Sequence, residues 1–311
     1  MPLTPELEEL AAKVSNWGRW GADDQRGTLN LIDEAAVLRG AQAVRSGRSF
    51  SLAIPFDQDG PQWDTKNMPD RVNPELKTHM VNMAFTGDPR DFTTSDDNFH
   101  MGSQAATHWD ALAHVGYDGK FYNDTPMSVV TAESGAAKLG IDRYGVFATR
   151  GVLLDVPRAL GVEGFDDAYP ITGDDLDAAA KLAQVTIQAG DAILVRTGQE
   201  RFRTPGTKER YSKPSPGLST KSIAWFHDHD IAATATDNLT FECYPCENPA
   251  IFMPVAMIQS RDMGMALGQN WHLSELADDC ARDGQYDFLL TATPLPLTGG
   301  VGAPVAPTAI K

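Results

Sequence analysis

Between residues 151 and 292 short apolar runs alternate with helical stretches, and this alternation limits the fold more than any other feature. Gly151-Val152-Leu153-Leu154-Asp155-Val156 has the nearly unbroken apolar character of a strand buried on both faces. Gly173-Asp174-Asp175 then opens a helix carrying Leu176, Ala179, Ala180 and Leu182. Ala192 to Thr197 reads as a second strand, and Ser219 caps a helix holding Ile223, Trp225 and Phe226. Ile231–Thr236 is a strand, Leu273–Arg282 a helix and Tyr286–Ala292 a strand. Strands separated by helices of roughly 10–15 residues indicate an α/β fold with helices flanking a mixed sheet.

The ends follow from local chemistry. Thr4 is a good N-cap and Pro5 sits at the first helical position, where its missing N–H costs nothing. Glu6 and Glu8 suit the helix dipole, and Leu7, Leu10 and Val14 mark the buried stripe. Asp33 caps a second helix to about Ser46, so residues 1–48 read as an N-terminal helical arm. Ser49–Ile54 alternates like a strand. Residues 55–100 are polar and rich in Pro, Gly, Asp and Asn; a loop of that length points to a lid or a subunit arm. Gly299-Gly300-Val301-Gly302-Ala303-Pro304 reads as a turn, since it lacks the Lys and Ser/Thr of a phosphate loop. No linker interrupts residues 1–311, which are expected to form one domain.

Charge excludes whole classes of partner. Lys and Arg total 26 and Asp and Glu 42, a formal charge of −16, which leaves no basic face for nucleic acid or an anionic membrane. No apolar run reaches the ~18 residues of a membrane span. The acidic start MPLTPELEEL does not resemble a signal peptide, so a cytoplasmic location is expected. Cys243, Cys246 and Cys280 make no disulfide framework. Cys243-Tyr-Pro-Cys246 is followed by Glu247-Asn248-Pro249, a poor helix start, so the pair reads as reduced, structural thiols.

The chemistry gathers in residues 100–114, which hold His100, Gln104, His108, Asp110 and His114. On an extended segment Gln104, His108 and Asp110 share a face, and if the chain turns helical at Asp110, His114 joins them one turn on. Imidazole with carboxylate is a zinc- or manganese-type ligand set. It is equally an acid–base pair, because a carboxylate fixes the histidine tautomer. Trp17, Trp20, Trp109, Phe99 and Tyr122 are candidates for an aromatic pocket, and Glu242 for a ligand or base.

Gln104-Ala-Ala-Thr107-His108-Trp-Asp110-Ala111-Leu-Ala-His114 resembles the H-x-G-T-H-x-D-A-x-x-H signature of the cyclase family, which includes bacterial arylformamidases and isatin hydrolase. The likeness runs along most of the chain. It takes in Asp23-Asp24-Gln25-Arg26-Gly27-Thr28-Leu29-Asn30, Arg150–Asp155, Arg196-Thr197-Gly198, Asp237-Asn238, Glu242, Arg261-Asp262-Met263-Gly264 and Gly299–Pro304. It implies a swivelling β/β/α fold, a small-molecule substrate, and a homodimer or homotetramer with sites near subunit contacts. It also implies a proton donor or acceptor at His114, with His108 and Asp110 beside it. In that family the metal ligands are the first two histidines and the aspartate of the signature, a later histidine and a glutamate. Those positions are here Gln104, His108, Asp110, Ala256 and Gln269. Three of the five have changed, and alanine offers no donor.

Three readings follow. The first is a metal-free enzyme using His114, Asp110 and His108 on a cyclic or carbonyl-bearing substrate, with Gln104, Gln269, Trp109, Trp20 and Glu242 in contact with it. The second is a manganese- or zinc-dependent amide or lactone hydrolase of arylformamidase type, its metal held by His108, Asp110 and His114. The third is a non-catalytic small-molecule binder.

Overall fold

The structure, a computed structural model, describes residues 3–63, 70–204 and 206–311. Strand β1 (Ser49–Ser51) is followed by an antiparallel hairpin, β2 (Glu75–Ala84) and β3 (Thr93–His100). Then come β4 (His108–Asp110), β5 (Ala148–Asp155), β6 (Ala192–Arg196) and β7 (Ala233–Thr236). The last are β8 (Ala266–Gln269), β9 (Asp287–Thr291), β10 (Gly302–Pro304) and β11 (Thr308–Ile310). All but the hairpin join one mixed sheet in the order β1-β11-β9-β5-β6-β7-β8-β4-β10. The run β5-β6-β7-β8 is parallel and its flanks are antiparallel.

The central strands alternate between two cores. Leu153 and Leu194 point into one layer with Trp109, Trp271 and Phe288. Val152, Leu154, Ile193 and Val195 point into the other. Burial on both faces explains why these strands read as continuous apolar runs.

The helices begin where their capping residues place them. Thr4 Oγ1 accepts the Leu7 N–H at 3.4 Å and starts α1 (Pro5–Lys13). Asp33 Oδ1 accepts the Ala36 N–H at 2.8 Å and starts α2 (Glu34–Gln42). That helix stops short of Ser46 because the Ser46 and Gly47 N–H groups are engaged by the Lys311 carbonyl. Thr172 and Asp175 form a reciprocal capping box on α3 (Gly173–Ala183). Ser219 caps a 3₁₀ turn leading into α4 (Ile223–Asp228). Next comes α5 (Pro254–Arg261), in a stretch the sequence analysis left without an element. The last helix is α6 (Ser274–Asp283), ending at Gly284 with φ +74°.

Two loop expectations need correction. Within the 55–100 stretch, residues 64–69 lie outside the described residues, and much of the remainder is the β2–β3 hairpin. Its strands are mostly exposed, and the second, TTSDDNFH, is polar but for Phe99, so composition alone resembled a loop. The glycine-rich tail turns at Gly299, as expected, but its second half is a strand. Gly302, Ala303 and Pro304 pair with Asp110, Trp109 and His108 and form the sheet's edge.

Candidate active site

The site is built on β4. His108 and Asp110 point to one face of this short strand, and Trp109 to the other. Cross-strand pairing sets Gln269 of β8 opposite His108. Helix α5, with Ala256 on it, packs on β8 in the layer that holds Leu267. The close approach of β4 and β8 depends on Gly268, where a Cβ would lie 2.8 Å from Trp109 and Ala235 side-chain atoms. His114 arrives through a turn rather than a helix, its N–H donating to the Ala111 carbonyl at 2.9 Å.

These elements bring the predicted cluster together. Asp110 Oδ1 lies 3.4 Å from His108 Nε2 and 3.6 Å from His114 Nε2. Gln269 Nε2 donates to Asp110 Oδ2 at 3.0 Å. Gln104 Nε2 lies 3.4 Å from His114 Nδ1, and Gln104 Oε1 accepts from Ser103 Oγ at 2.8 Å. Tyr144 donates its hydroxyl to the Asp110 carbonyl and fixes the strand end. His108 and Asp110 are buried, while the His114 side chain keeps 23 % of its surface exposed. His114 is thus the group of the triad that a ligand can reach.

The hydrogen bonds assign the tautomers. His108 Nδ1 is 2.7 Å from the Ala106 carbonyl oxygen, which can only accept, so this nitrogen carries the proton. His108 Nε2 then faces Asp110 Oδ1, and both atoms are buried without a hydrogen-bond partner among the described residues. Two acceptors facing each other call for a proton or another cation between them. Burial alone would raise the Asp110 carboxyl, but His114, the close approach of His108 and the Arg71 charge outweigh it and hold it below its ordinary range. Burial pushes the His114 imidazole down, and Arg71 and His108 offset the opposing pull of Asp110. His114 is therefore neutral near pH 7 and able to take a proton.

Arg71 is a member of this field that the sequence analysis missed. It lies at the root of the β2–β3 hairpin, where a Cβ on Gly102 would sit 2.9 Å from the Arg71 Cα. No motif marks it; only Gly102, two residues before Gln104, hinted at a close backbone approach.

The donor set does not fit the family's five-ligand metal site. Ala256 has no donor, the Gln269 amide donates to Asp110, and the Gln104 carbonyl oxygen is engaged by Ser103. Among the described residues, no three His, Cys, Asp or Glu side chains form a group able to hold a metal ion.

Other expected contacts fall elsewhere. Trp109 does not line the site. It is buried in the opposite layer, stacked on Phe147 at 5.1 Å, with Nε1 donating to the Ala292 carbonyl at 2.8 Å. The strand alternation that aims His108 and Asp110 inward sends Trp109 away. Trp20 lies beside Arg19, whose guanidinium is 4.8 Å from its ring and pairs with Asp230. Glu242 is buried, and its Oε2 accepts the Ala256 N–H at 2.8 Å, at the start of α5. Burial pushes its carboxyl up to about 8, with Glu247 as its charged neighbour. Glu242 thus seats the helix that carries Ala256. Burial also raises the Cys243 thiol to about 12, in keeping with an unreactive pair.

Fold and site together define a mixed α/β protein with a His–Asp–His cluster on the strand next to the sheet's edge. The cyclase family model matches residues 50–243, and the chain belongs to the cyclase family. A crystal structure described as a novel cyclase is 34% identical, covers 100% of both chains and superposes with a TM-score of 0.89. Isatin hydrolase A from Ralstonia solanacearum is 17% identical with a TM-score of 0.61, covering 88% of this chain and 94% of its own. Isatin hydrolase A from Labrenzia aggregata, bound to benzyl benzoate, is 17% identical with a TM-score of 0.61, covering 87% and 96%. At that identity the two hydrolases share the fold. No protein of curated function matches the chain. Among the described residues, no helix is long and apolar enough to cross a membrane.

Proposed function

We propose that this protein is an enzyme of the cyclase family that acts on a small cyclic or carbonyl-bearing substrate by metal-free acid–base chemistry. The observation that carries this reading is the substitution of amides at ligand positions, with the Gln269 amide hydrogen-bonded to Asp110 Oδ2. The amide retains a polar contact where family members place a metal-binding carboxylate.

The residues take the following roles. His114, neutral and partly exposed, accepts the proton of the attacking group and then delivers it to the leaving group. Asp110 stays ionised and orients both imidazoles. In this reading the remaining N–H groups of the Gln104 and Gln269 amides donate to a substrate carbonyl oxygen as negative charge develops there. Arg71 supplies positive charge to the same field. Positioned acid–base catalysis of this kind contributes about 10²–10⁴-fold. The substrate is a small molecule, and the isatin hydrolases suggest cyclic amides as the first compounds to try.

The test is a panel of cyclic amides, lactones and hydroxy-carbonyl compounds, assayed with and without a chelator, for wild type and His114→Ala. Chelator-insensitive turnover that falls about 10²–10⁴-fold in His114→Ala is expected. Turnover that depends on added manganese or zinc overturns the metal-free reading. Binding without turnover of any compound would instead favour a non-catalytic protein.

A further inference from the structure

Consecutive residues at the end of β8 hold the two halves of the His108–Asp110 pair. Gln269 grips the Asp110 carboxylate. Asn270 grips the carbonyl that faces His108. Its Nδ2 donates to the Ala106 oxygen at 3.2 Å, and the same oxygen accepts from His108 Nδ1 at 2.7 Å. In a regular strand, neighbouring side chains point to opposite faces. Asn270 escapes that rule because its left-handed φ of 59° ends the strand. Asparagine is one of the few side chains that enter this region readily.

Each polar group of Asn270 is engaged. Its N–H donates to the Asn238 carbonyl at 3.0 Å, and its own carbonyl accepts from Thr107 Oγ1 at 2.6 Å. Its Oδ1 accepts from the Tyr211 hydroxyl at 2.9 Å. Turned over, the amide would set its oxygen against the Ala106 oxygen, so its orientation is fixed. Asn270, Tyr211 and Thr107 are fully buried. Ala106 lies in a bend ahead of β4, outside the strand ladder, so the direction of its carbonyl is set by what binds it.

We infer that Asn270 is a positioning residue that selects the tautomer of His108. With the Ala106 carbonyl held in place, Nδ1 keeps the proton and Nε2 stays bare towards Asp110 Oδ1. Without the Asn270 amide the carbonyl is free to turn away. The neutral ring then gains by moving its proton to Nε2, where Asp110 Oδ1 lies at 3.4 Å. That second arrangement ties up the oxygen that also faces His114 Nε2 at 3.6 Å. Asn270 thus keeps Asp110 Oδ1 available to orient His114, without touching the substrate. Its part in turnover rests on the acid–base reading proposed above; its hold on the tautomer does not.

Nitrogen–proton correlation spectra of the histidine side chains in the full chain test the inference. The probe is the His108 Nδ1–H signal, assigned by its loss in His108→Gln. Asn270→Gly permits the left-handed backbone and removes the amide. In it Nδ1–H should give way to Nε2–H, with an unchanged far-ultraviolet spectrum. On any compound the protein turns over, kcat should fall about 10–100-fold, as for other groups that orient a site histidine from behind, with KM little changed. Tyr211→Phe removes a single hydroxyl and keeps the test decisive if Asn270→Gly does not fold; it should shift the same signal part of the way. A His108 Nδ1–H signal that persists unchanged in the folded variant overturns the inference, whether or not turnover falls. Loss of that signal in a protein that turns over no compound upholds the inference and counts against the acid–base reading instead.

Discussion

Replacing Glu242 with glutamine should make the protein more stable, and increasingly so as pH rises. Glu242 is 1 % exposed, and its Oε2 accepts the backbone N–H of Ala256. Burial moves its carboxyl from the ordinary 4.5 up to about 8. A folded-state pKa above the unfolded value means that the folded chain keeps the proton longer. The stability tied to that proton is fully present below pH 4.5 and is lost as pH climbs towards 8. At ~1.36 kcal/mol per pH unit the loss has an upper bound of about 5 kcal/mol. Relaxation around the charged form brings the expected effect to about 2–4 kcal/mol. Glutamine keeps the acceptor for Ala256 and never ionises. Urea unfolding of wild type and Glu242→Gln between pH 5 and pH 9 is the assay. The two curves should separate steadily up to pH 8 and then run parallel. Curves that stay parallel throughout would refute the reasoning, and would show that the α5 N-terminus and solvent carry the ionised carboxylate without cost.

Three further outcomes follow from the site. If His114 is the base, the pH–rate profile should fall on the acid side below the ordinary histidine value of 6.5, and Arg71→Gln should move that limb to higher pH, because the Arg71 charge holds the imidazole down. A limb that does not move in Arg71→Gln would remove Arg71 from the site. Trp109→Ala should destabilise the fold by about 3–5 kcal/mol in denaturant unfolding, as expected for a buried aromatic and not for a substrate-lining one. Elemental analysis of purified protein should find manganese and zinc well below one per chain, and one tightly held ion per chain would contradict the donor-set argument.

The fold was legible where single residues decide it. Thr4 and Asp33 cap the helices they were expected to cap, and the apolar runs at 151–156 and 192–197 are buried strands. The site was legible because His108, Asp110 and His114 are close in sequence, so local geometry brings them together. Three features were not legible, each for a physical reason. Helix α5 has few sequence signals beyond Pro254, and its start depends on a long-range bond to Glu242. Strand β10 is glycine-rich and extended only because β4 pairs with it. Arg71 reaches the site through the fold of the hairpin root, which no spacing rule encodes.

The bond between Gln269 and Asp110 also bears on how such a site can change over generations. A lone return to glutamate at 269 would set a second carboxylate about 3 Å from the first, and like charges at that distance cannot both ionise without a cation between them. A lone return to histidine at 256 would bring one imidazole to a position whose other expected partners are amides. The first of these steps is costly unless an ion arrives with it, and the second alone adds a donor without the rest of the ligand set. The amide at 269 therefore holds Asp110 without a competing charge, and a carboxylate in its place would need an ion to accompany it.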